Sequence, residues 1–209
     1  MTTTTTYPAV HTSLKITGSN TFTLASDEPL PKLEEADVLV RVAAVSVNHV
    51  DGKSADMSPS PGATSGTDFA GVIVALGSEL KKSDWKTTEN MEPLQIGDRV
   101  MGGIFGNNPL RLDNGAFAEY VAVPARLVWH IPADMDFATA STLPAAIATV
   151  GLSLFQYLQL PLPPVSASAS SSEADEKPFV LVHGGGMYKT LNGSPRTPQV
   201  CADQNLLLS

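Results

Sequence analysis

The 209-residue sequence contains very little cysteine and no excess of basic side chains. Its single cysteine, Cys201, excludes a disulfide framework and a cysteine-rich zinc lobe. Thirteen Lys and Arg against 21 Asp and Glu give a net charge of −8, so electrostatics offers little support for nucleic-acid binding. A hydrophobic content of 43% with 16% charged residues is enough for a globular core.

Targeting and membrane signals are also weak. The N-terminal stretch MTTTTTYPAVHTSLK has neither a basic start nor an apolar centre, so we expect no secretory signal and a cytoplasmic location. The most apolar segment, residues 143–160, is long enough to cross a thin bilayer. However, Pro144, Gln156 and Gln159 interrupt it and no Lys or Arg flanks it closely. We therefore interpret it as a buried helix rather than a membrane span.

Short strand-like runs dominate the chain as far as Pro132, after a leader over residues 1–11 that we expect to be disordered. These runs cover residues 14–18, 21–25, 37–48, 66–80, 96–104 and 115–132, with a loop over 29–37 and a polar surface insertion over 81–95. Short strands separated by glycine turns are typical of a barrel or a rolled sheet.

The pattern becomes helical after Pro132. Asp136 is a predicted helix N-cap, and Pro144 opens a second helix with an apolar face. A Pro/Ser-rich connector of low complexity covers residues 163–177. A strand over residues 179–183 then meets Gly184, Gly185 and Gly186. Helix, connector, strand and glycines in this order predict the beginning of an α/β unit.

Four segments together resemble the medium-chain dehydrogenase/reductases. They are GTDFAGVIVALGSEL, the GDRV at residues 97–100, GAFAEYVAVPARLV and LPAAIATVG. The likeness is to the zinc-independent branch, namely quinone oxidoreductases and fungal trans-acting enoyl reductases of polyketide pathways. The resemblance implies an α+β to α/β fold, with a GroES-like β-barrel domain over residues 12–135. The start of a Rossmann-type nucleotide-binding domain follows over residues 136–186, and residues 187–209 do not resemble the family.

The residues at the family's zinc positions predict that no metal is bound. Where the zinc-dependent branch has a cysteine this chain has Asn48, and where that branch has a histidine it has Thr67, ahead of Asp68. Asparagine and threonine are poor zinc ligands, and the four histidines show no ligand spacing. Without a Lewis acid, the resemblance implies NADPH-dependent hydride transfer to an activated C=C bond of the enoyl or quinone type. The implied substrate is a small-molecule or carrier-bound enoyl compound, and a polyketide synthase is the implied partner.

The segment NHVDGK, residues 48–53, supplies most of the candidate site residues. By resemblance it is a turn beside the nicotinamide, in which Asn48 binds the carboxamide or the ribose and Asp51 orients the loop. Lys53 then binds the ribose hydroxyls or the substrate carbonyl, where a donor stabilises the enolate. The residue types alone favour an ordinary solvated turn.

Thr149 matches a threonine that faces the cofactor and the substrate cleft in the family, which implies a catalytic and cofactor-binding role. The alternative is a helical threonine that bonds back to a carbonyl one turn earlier. Asp68 is predicted to hold the barrel by bonding to backbone rather than to act in catalysis.

Gly184, Gly185 and Gly186 would allow close approach to a pyrophosphate, provided that a helix N-terminus follows them. Asn192, Gly193, Pro195 and Pro198 do not permit that helix. We therefore expect a C-terminally truncated chain, and the alternative function is a non-catalytic fragment. A GroES-type co-chaperone is a third and weaker alternative. Truncation would also leave an exposed apolar patch on the helix over residues 145–159 and the strand over residues 179–183.

Overall fold

A computed structural model describes residues 7–81, 92–160, 180–183 and 199–202 of the chain. The chain divides into two units, Met1–Ile147 and Ala148–Ser209. The predicted glycine turn at residues 184–186, the connector over residues 163–177 and most of the polar insertion lie outside the described residues.

Seven antiparallel strands build the first unit, as the strand-like runs predict. They are β1 (Val10–Gly18), β2 (Thr21–Pro29), β3 (Asp37–Ser46), β4 (Asp68–Leu76), β5 (Arg99–Gly103), β6 (Tyr120–Pro124) and β7 (Val128–His130). β1 and β2 form a hairpin, and the others form a five-stranded sheet in the order β6-β3-β4-β5-β7. Two isolated bridges, Ser13–Ala118 and Lys15–Thr64, join β1 to the remainder of the unit.

The hairpin is longer than the apolar pattern predicts. β1 begins at Val10, inside the segment assigned to a leader, and β2 continues to Pro29 at the start of the predicted loop. The inward-facing residues at the start of β1 are His11, Ser13 and Lys15, all of which are buried. Because the buried side of this strand is polar, alternation of apolar residues does not reveal its first half.

The core of the first unit is made of β-branched residues on β3, β4, β5, β6 and β7. On these strands the largest fully buried apolar side chains are Val38, Val40, Phe69, Ile73, Val100, Val121, Val123 and Val128, and Ile16 on β1 is also fully buried. β3 opens with four consecutive buried residues, Asp37, Val38, Leu39 and Val40. A continuous buried run is expected where a strand is covered on both faces.

Three α-helices are present among the described residues, and one of them was not predicted. α2 (Phe137–Ser141) is capped as expected, because Asp136 Oδ1 accepts a hydrogen bond of 2.6 Å from the Thr139 N–H. α3 (Pro144–Gly151) begins at its proline as predicted and continues into a π-helical segment, Leu152–Tyr157.

α1 (His49–Met57) occupies the segment predicted to be a turn, so that prediction is wrong. Asn48 and Asp51 have the spacing of a capping box at its start. Gly52 and the sparse apolar residues of the segment lower its apparent helix propensity and conceal the helix.

The apolar helix after Pro132 is exposed rather than buried, which corrects the buried-helix interpretation. Val150 is 53% exposed and Tyr157 is 81% exposed, and Ile147 and Leu152 are also exposed. This agrees with the predicted apolar patch over residues 145–159. In the part of the chain that the structure describes, Phe137–Tyr157 is the one helical segment that is long and apolar enough to cross a membrane. Core helices of soluble proteins pass the same test, so this is weak evidence for a span.

In the second unit, β8 (Val180–His183) pairs antiparallel with β9 (Gln199–Ala202). The predicted strand over residues 179–183 is therefore confirmed, and its partner comes from the segment that does not resemble the family. A Rossmann-type unit needs parallel neighbours on this strand. None is present among the described residues, and the nucleotide-binding unit of this chain is incomplete.

Two glycines with similar backbone conformations provide a matched test of how tightly the first unit is packed. Gly66 has φ +97° and Gly97 has φ +99°, but a Cβ at Gly66 would lie 2.4 Å from the Phe117 ring, whereas a Cβ at Gly97 has no neighbour within 4 Å. Both alanine variants carry the cost of a positive φ, and Gly66→Ala adds overpacking. We expect Gly66→Ala to lower the free energy of unfolding by about 1–3 kcal/mol more than Gly97→Ala in urea titrations. Equal losses for the two variants would contradict the close packing at Gly66.

Candidate functional site

Four residues between β3, α1 and β4 are linked by hydrogen bonds, and we name them the carboxylate network: Asn48, Asp51, Thr67 and Asp68. Asp51 Oδ2 accepts from the Asn48 N–H at 2.7 Å, and Asp51 Oδ1 accepts from the Thr67 hydroxyl at 2.7 Å. Asp68 Oδ2 accepts from Asn48 Nδ2 at 2.9 Å, and Asp68 Oδ1 accepts from the Ala145 N–H at 3.0 Å. Each of the four carboxylate oxygens therefore has a donor.

Strand pairing places these residues together. β3 and β4 are antiparallel, and Ser46 near the end of β3 lies opposite Asp68 at the start of β4. The chain leaves β3 two residues before Asn48, which caps α1 beside that end of β4. Ala145 lies in the first turn of α3, where backbone N–H groups have no partner within the helix. Asp68 supplies that partner from a different element.

Both carboxylates are largely removed from water. Asp68 is 1% exposed and Asp51 is 6% exposed. Burial raises the pKa of Asp68 above its ordinary value, and the nearby Asp51 charge acts in the same direction, while the hydrogen bonds from Asn48 and Ala145 oppose the rise. A buried carboxylate persists only when its oxygens are hydrogen-bonded, and the network meets this condition.

A pocket of about 130 Å³ borders the network. It is lined by Val50, Asp51, Ser54, Ser65, Gly66, Thr67, Phe105, Gly106 and Asn107. The buried side chain of Asn107 fixes one wall, since its Nδ2 donates to the Ser58 carbonyl and its Oδ1 accepts from the Ser60 N–H. A cavity of roughly 150 Å³ holds a molecule the size of benzene, so this pocket suits a small group rather than a whole cofactor.

The structure gathers some of the predicted site residues and leaves others apart. Asn48 and Asp51 lie in the network, whereas Lys53 is exposed on α1, whose buried residues are Asp51 and Ala55. Thr149 is exposed on α3 and belongs to the second unit. Gly184, Gly185 and Gly186 lie outside the described residues. The roles assigned to Lys53, Thr149 and the glycines stay predictions.

Sequence reasoning treated Thr67 only as a failed zinc ligand and missed its bond to Asp51. The available signal was its position next to Asp68 at the start of a buried strand. The prediction that Asp68 bonds to backbone is confirmed by the Ala145 N–H, but its bond to Asn48 was not foreseen.

The donor set of the network does not fit zinc. Asn48 and Thr67 both donate hydrogen bonds to carboxylates, and those carboxylate oxygens are already occupied. Over residues 7–81 and 92–160, no group of three or more His, Cys, Asp or Glu side chains is arranged to hold a metal ion.

Comparison with known proteins identifies the barrel. Residues 34–133 match the alcohol dehydrogenase GroES-like domain. The chain is also 66% identical over 181 residues to trans-enoyl reductase iccB of Talaromyces variabilis, an alignment that covers 87% of this chain and 48% of that protein. The chain therefore carries an alcohol dehydrogenase GroES-like domain and is similar in sequence to trans-enoyl reductases. The family resemblance found in the sequence is thereby confirmed.

Solved structures show the same medium-chain dehydrogenase/reductase fold. An alcohol dehydrogenase superfamily protein from Novosphingobium aromaticivorans aligns with a TM-score of 0.59 at 28% identity, covering 72% of this chain and 43% of that one. The quinone oxidoreductase from Coxiella burnetii aligns with a TM-score of 0.54 at 23% identity, covering 72% and 45%, which shows a shared fold. This chain spans about half the length of the curated relatives it matches.

The bond between Thr67 and Asp51 can be tested with two variants of Thr67. Thr67→Val keeps the shape of the side chain but leaves Asp51 Oδ1 buried without its donor, which costs roughly 1–3 kcal/mol of unfolding free energy. Thr67→Ser keeps the hydroxyl and serves as the matched control, with a smaller loss expected. Urea unfolding of both variants measures the difference. A larger loss for Thr67→Ser than for Thr67→Val would show that packing of the methyl group, not the hydrogen bond, matters here.

The raised pKa of Asp68 predicts how stability depends on pH. Above that pKa the folded protein carries a buried charge, and below it the folded state holds a proton that the unfolded state has not yet taken up. Stability attributable to Asp68 therefore rises as pH falls toward the ordinary aspartate value of 3.8. We expect wild type to gain unfolding free energy relative to Asp68→Asn between pH 7 and pH 4.5, measured in urea. A difference that is constant or that shrinks over this interval would contradict the assignment.

Proposed function

We propose that this chain carries the GroES-like catalytic domain of a zinc-free, NADPH-dependent reductase that delivers hydride to an activated C=C bond of an enoyl or quinone substrate. The single observation that carries the proposal is the 66% identity to a trans-enoyl reductase over 87% of the chain. The carboxylate network supports a zinc-free enzyme. By resemblance, Asn48 and Thr67 stand at two ligand positions of the zinc-dependent branch, and here both side chains donate hydrogen bonds to carboxylates.

We propose that Asn48 meets the nicotinamide end of the cofactor. Asn48 is a half-buried amide whose backbone N–H and side-chain Nδ2 are both held by carboxylates, so its position is defined before a ligand arrives. Bound NADPH would supply the hydride. Asn48 would hold the carboxamide or the ribose, and Gly184, Gly185 and Gly186 would lie against the pyrophosphate.

We propose that Lys53 and Thr149 contact both the cofactor and the substrate, and that Lys53 donates to the ribose hydroxyls of NADPH as well as to the substrate carbonyl. Charge develops on the substrate carbonyl oxygen as an enolate forms, and a cationic donor at that oxygen lowers the barrier. The Lys53 side chain is exposed, so it is accessible to a ligand. Asp68 is not proposed as a proton donor, since both of its oxygens accept hydrogen bonds and its side chain is 1% exposed.

The pocket beside Val50 and Phe105 would receive a small apolar part of the substrate. By likeness to the trans-enoyl reductase, we propose a small-molecule or carrier-bound enoyl substrate, with a polyketide synthase as the partner and a cytoplasmic location.

The alternative function is a non-catalytic chain. The antiparallel pairing of Val180–His183 with Gln199–Ala202 favours it, because this pairing occupies one edge of the strand. A chain of this kind would retain the barrel but build no complete cofactor site.

Titration of the 209-residue chain with NADPH, followed by calorimetry, distinguishes the two functions. Saturable micromolar binding supports the reductase, and we expect Lys53→Gln to weaken it roughly tenfold, as for loss of one charged hydrogen bond. Lys81→Gln, which also removes one exposed lysine, is the matched control and should bind like wild type. Absence of binding at millimolar NADPH would favour the non-catalytic alternative.

A further inference from the structure

The start of β1 buries polar atoms that are not hydrogen-bonded. His11 is 4% exposed and Ser13 is 1% exposed, and the two residues lie on the same side of the strand. Among the described residues, neither His11 Nδ1 nor the Ser13 hydroxyl has a hydrogen-bond partner. Buried polar groups are ordinarily hydrogen-bonded, and each exception calls for an explanation. This end of the β1–β2 hairpin therefore costs free energy to keep in place.

Glu119 and Tyr120 attach this end of the hairpin to the rest of the first unit. The pairing of β1 with β2 shifts register between His11 and Ser13, which separates the first residues from the regular part of the hairpin. The Thr12 N–H donates to Glu119 Oε2 at 2.7 Å, and the Thr12 carbonyl accepts from the Glu119 N–H at 3.0 Å. The His11 ring lies 6.2 Å from the Tyr120 ring, tilted by 57°. A change at His11 therefore acts beside the residues that hold Thr12.

Four charged side chains influence His11, and each lies on a different part of the fold. They are Lys15 on β1, Glu28 on β2, Asp113 in the loop before β6 and Glu119 directly ahead of β6. Burial lowers the pKa of His11 below its ordinary value of 6.5, and the Lys15 charge acts in the same direction. The three carboxylates oppose the change without reversing it, so the folded protein favours neutral His11.

A proton added to His11 meets a shortage of acceptors. The imidazolium carries a buried N–H at Nδ1, which has no partner among the described residues. Glu119 Oε2 already accepts from the Thr12 N–H, and Glu28 Oε2 lies 3.5 Å from the Lys15 ammonium. Because an unpaired buried charge is costly, either the end of the hairpin opens or Glu119 leaves Thr12 to pair with His11. Both changes break the contact between Thr12 and the Glu119 side chain.

We propose that His11 is an acid-sensitive latch, which holds the amino-terminal end of the hairpin on the barrel while it is neutral and releases that end when it is protonated. Thr12 and Ser13 line an open groove of about 450 Å³ between the hairpin and β3. Leu24 and Val45, which are 70% and 41% exposed, also line this groove. Release would therefore uncover more of an apolar surface as the pH falls. The latch needs no cofactor and is independent of the proposed function.

The direction of the pH dependence follows from the lowered pKa of His11. In the released state this pKa returns to about 6.5, so the released state binds the proton more tightly than the closed state does. Closure is fully favoured above pH 6.5 and weakens as the pH falls toward the pKa of the closed state. One proton can raise the ratio of released to closed chains by at most about tenfold per pH unit.

Hydrogen exchange of assigned backbone amides in the 209-residue chain measures this release. After correction for the intrinsic pH dependence of exchange, the opening constants of the Thr12 and Glu119 N–H groups should rise roughly 3- to 8-fold from pH 7.0 to pH 5.5. This interval lies above the range in which carboxylates ordinarily titrate. The Ile16 N–H, which donates to the Ala63 carbonyl in the regular part of the hairpin, should change by less than about twofold.

Two histidine variants assign the effect. In His11→Gln, which has no titrating ring, the rise at Thr12 and Glu119 should disappear. His130→Gln, the same change at a half-buried histidine on β7, should keep the wild-type rise. Opening constants in wild type that stay level or fall between pH 7.0 and pH 5.5 would overturn the latch, as would an undiminished rise in His11→Gln.

A second measurement decides the question if His11→Gln does not fold. An NMR titration of the His11 ring in wild type gives its pKa directly. A pKa below 6.5, together with faster exchange at Thr12 over the same pH interval, supports the latch. A pKa at or above 6.5 overturns it, because protonation would then favour the closed end of the hairpin or leave it unchanged.

Discussion

The buried carboxylate of Asp68 is the constraint around which the first unit is arranged. It lies at the start of β4 with an exposure of 1%, where an unpaired charge would cost several kcal/mol. Its two oxygens recruit Asn48 from the start of α1 and Ala145 from the start of α3. Three elements that are far apart in the chain are thereby held at one point, because each must deliver its donor to the same carboxylate.

The network contains Asn48 and Thr67, the two residues that by resemblance stand where the zinc-dependent branch of the medium-chain dehydrogenase/reductases has metal ligands. A metal ion would hold such side chains by coordination, and here two carboxylates hold them by hydrogen bonds of 2.7 to 3.0 Å. Close packing of the surrounding loops supports this arrangement. A Cβ at Gly106 would lie 2.4 Å from the Gly66 carbonyl oxygen, so only glycine lets these two segments meet beside Thr67.

The second unit has a different character. Its strand Val180–His183 pairs antiparallel with Gln199–Ala202, and the helical segment that leads into it exposes Val150, Leu152 and Tyr157. Exposed apolar side chains at helical spacing are typical of a face that another element covers. The first unit, by contrast, contains the GroES-like domain, and the chain spans about half the length of the curated relatives it matches.

The sequence by itself determined the elements whose signals are local: the β-branched runs of β3 and β4, the Asp136 cap, the helix start at Pro144 and the family resemblance. It did not reveal the first half of β1, because the buried residues there, His11, Ser13 and Lys15, are polar and do not produce the alternation of apolar residues that marks a strand. It did not reveal α1 either, because Asn48 caps a segment of low helix propensity. Only the tertiary structure decided that Thr67 bonds to Asp51 and that Asn48 bonds to Asp68. Those contacts join residues 16 and 20 positions apart, and they form because β3 and β4 pair in one register. A hydrogen bond between side chains on different elements has no local signature, so it follows from the fold and not from the pattern of residues.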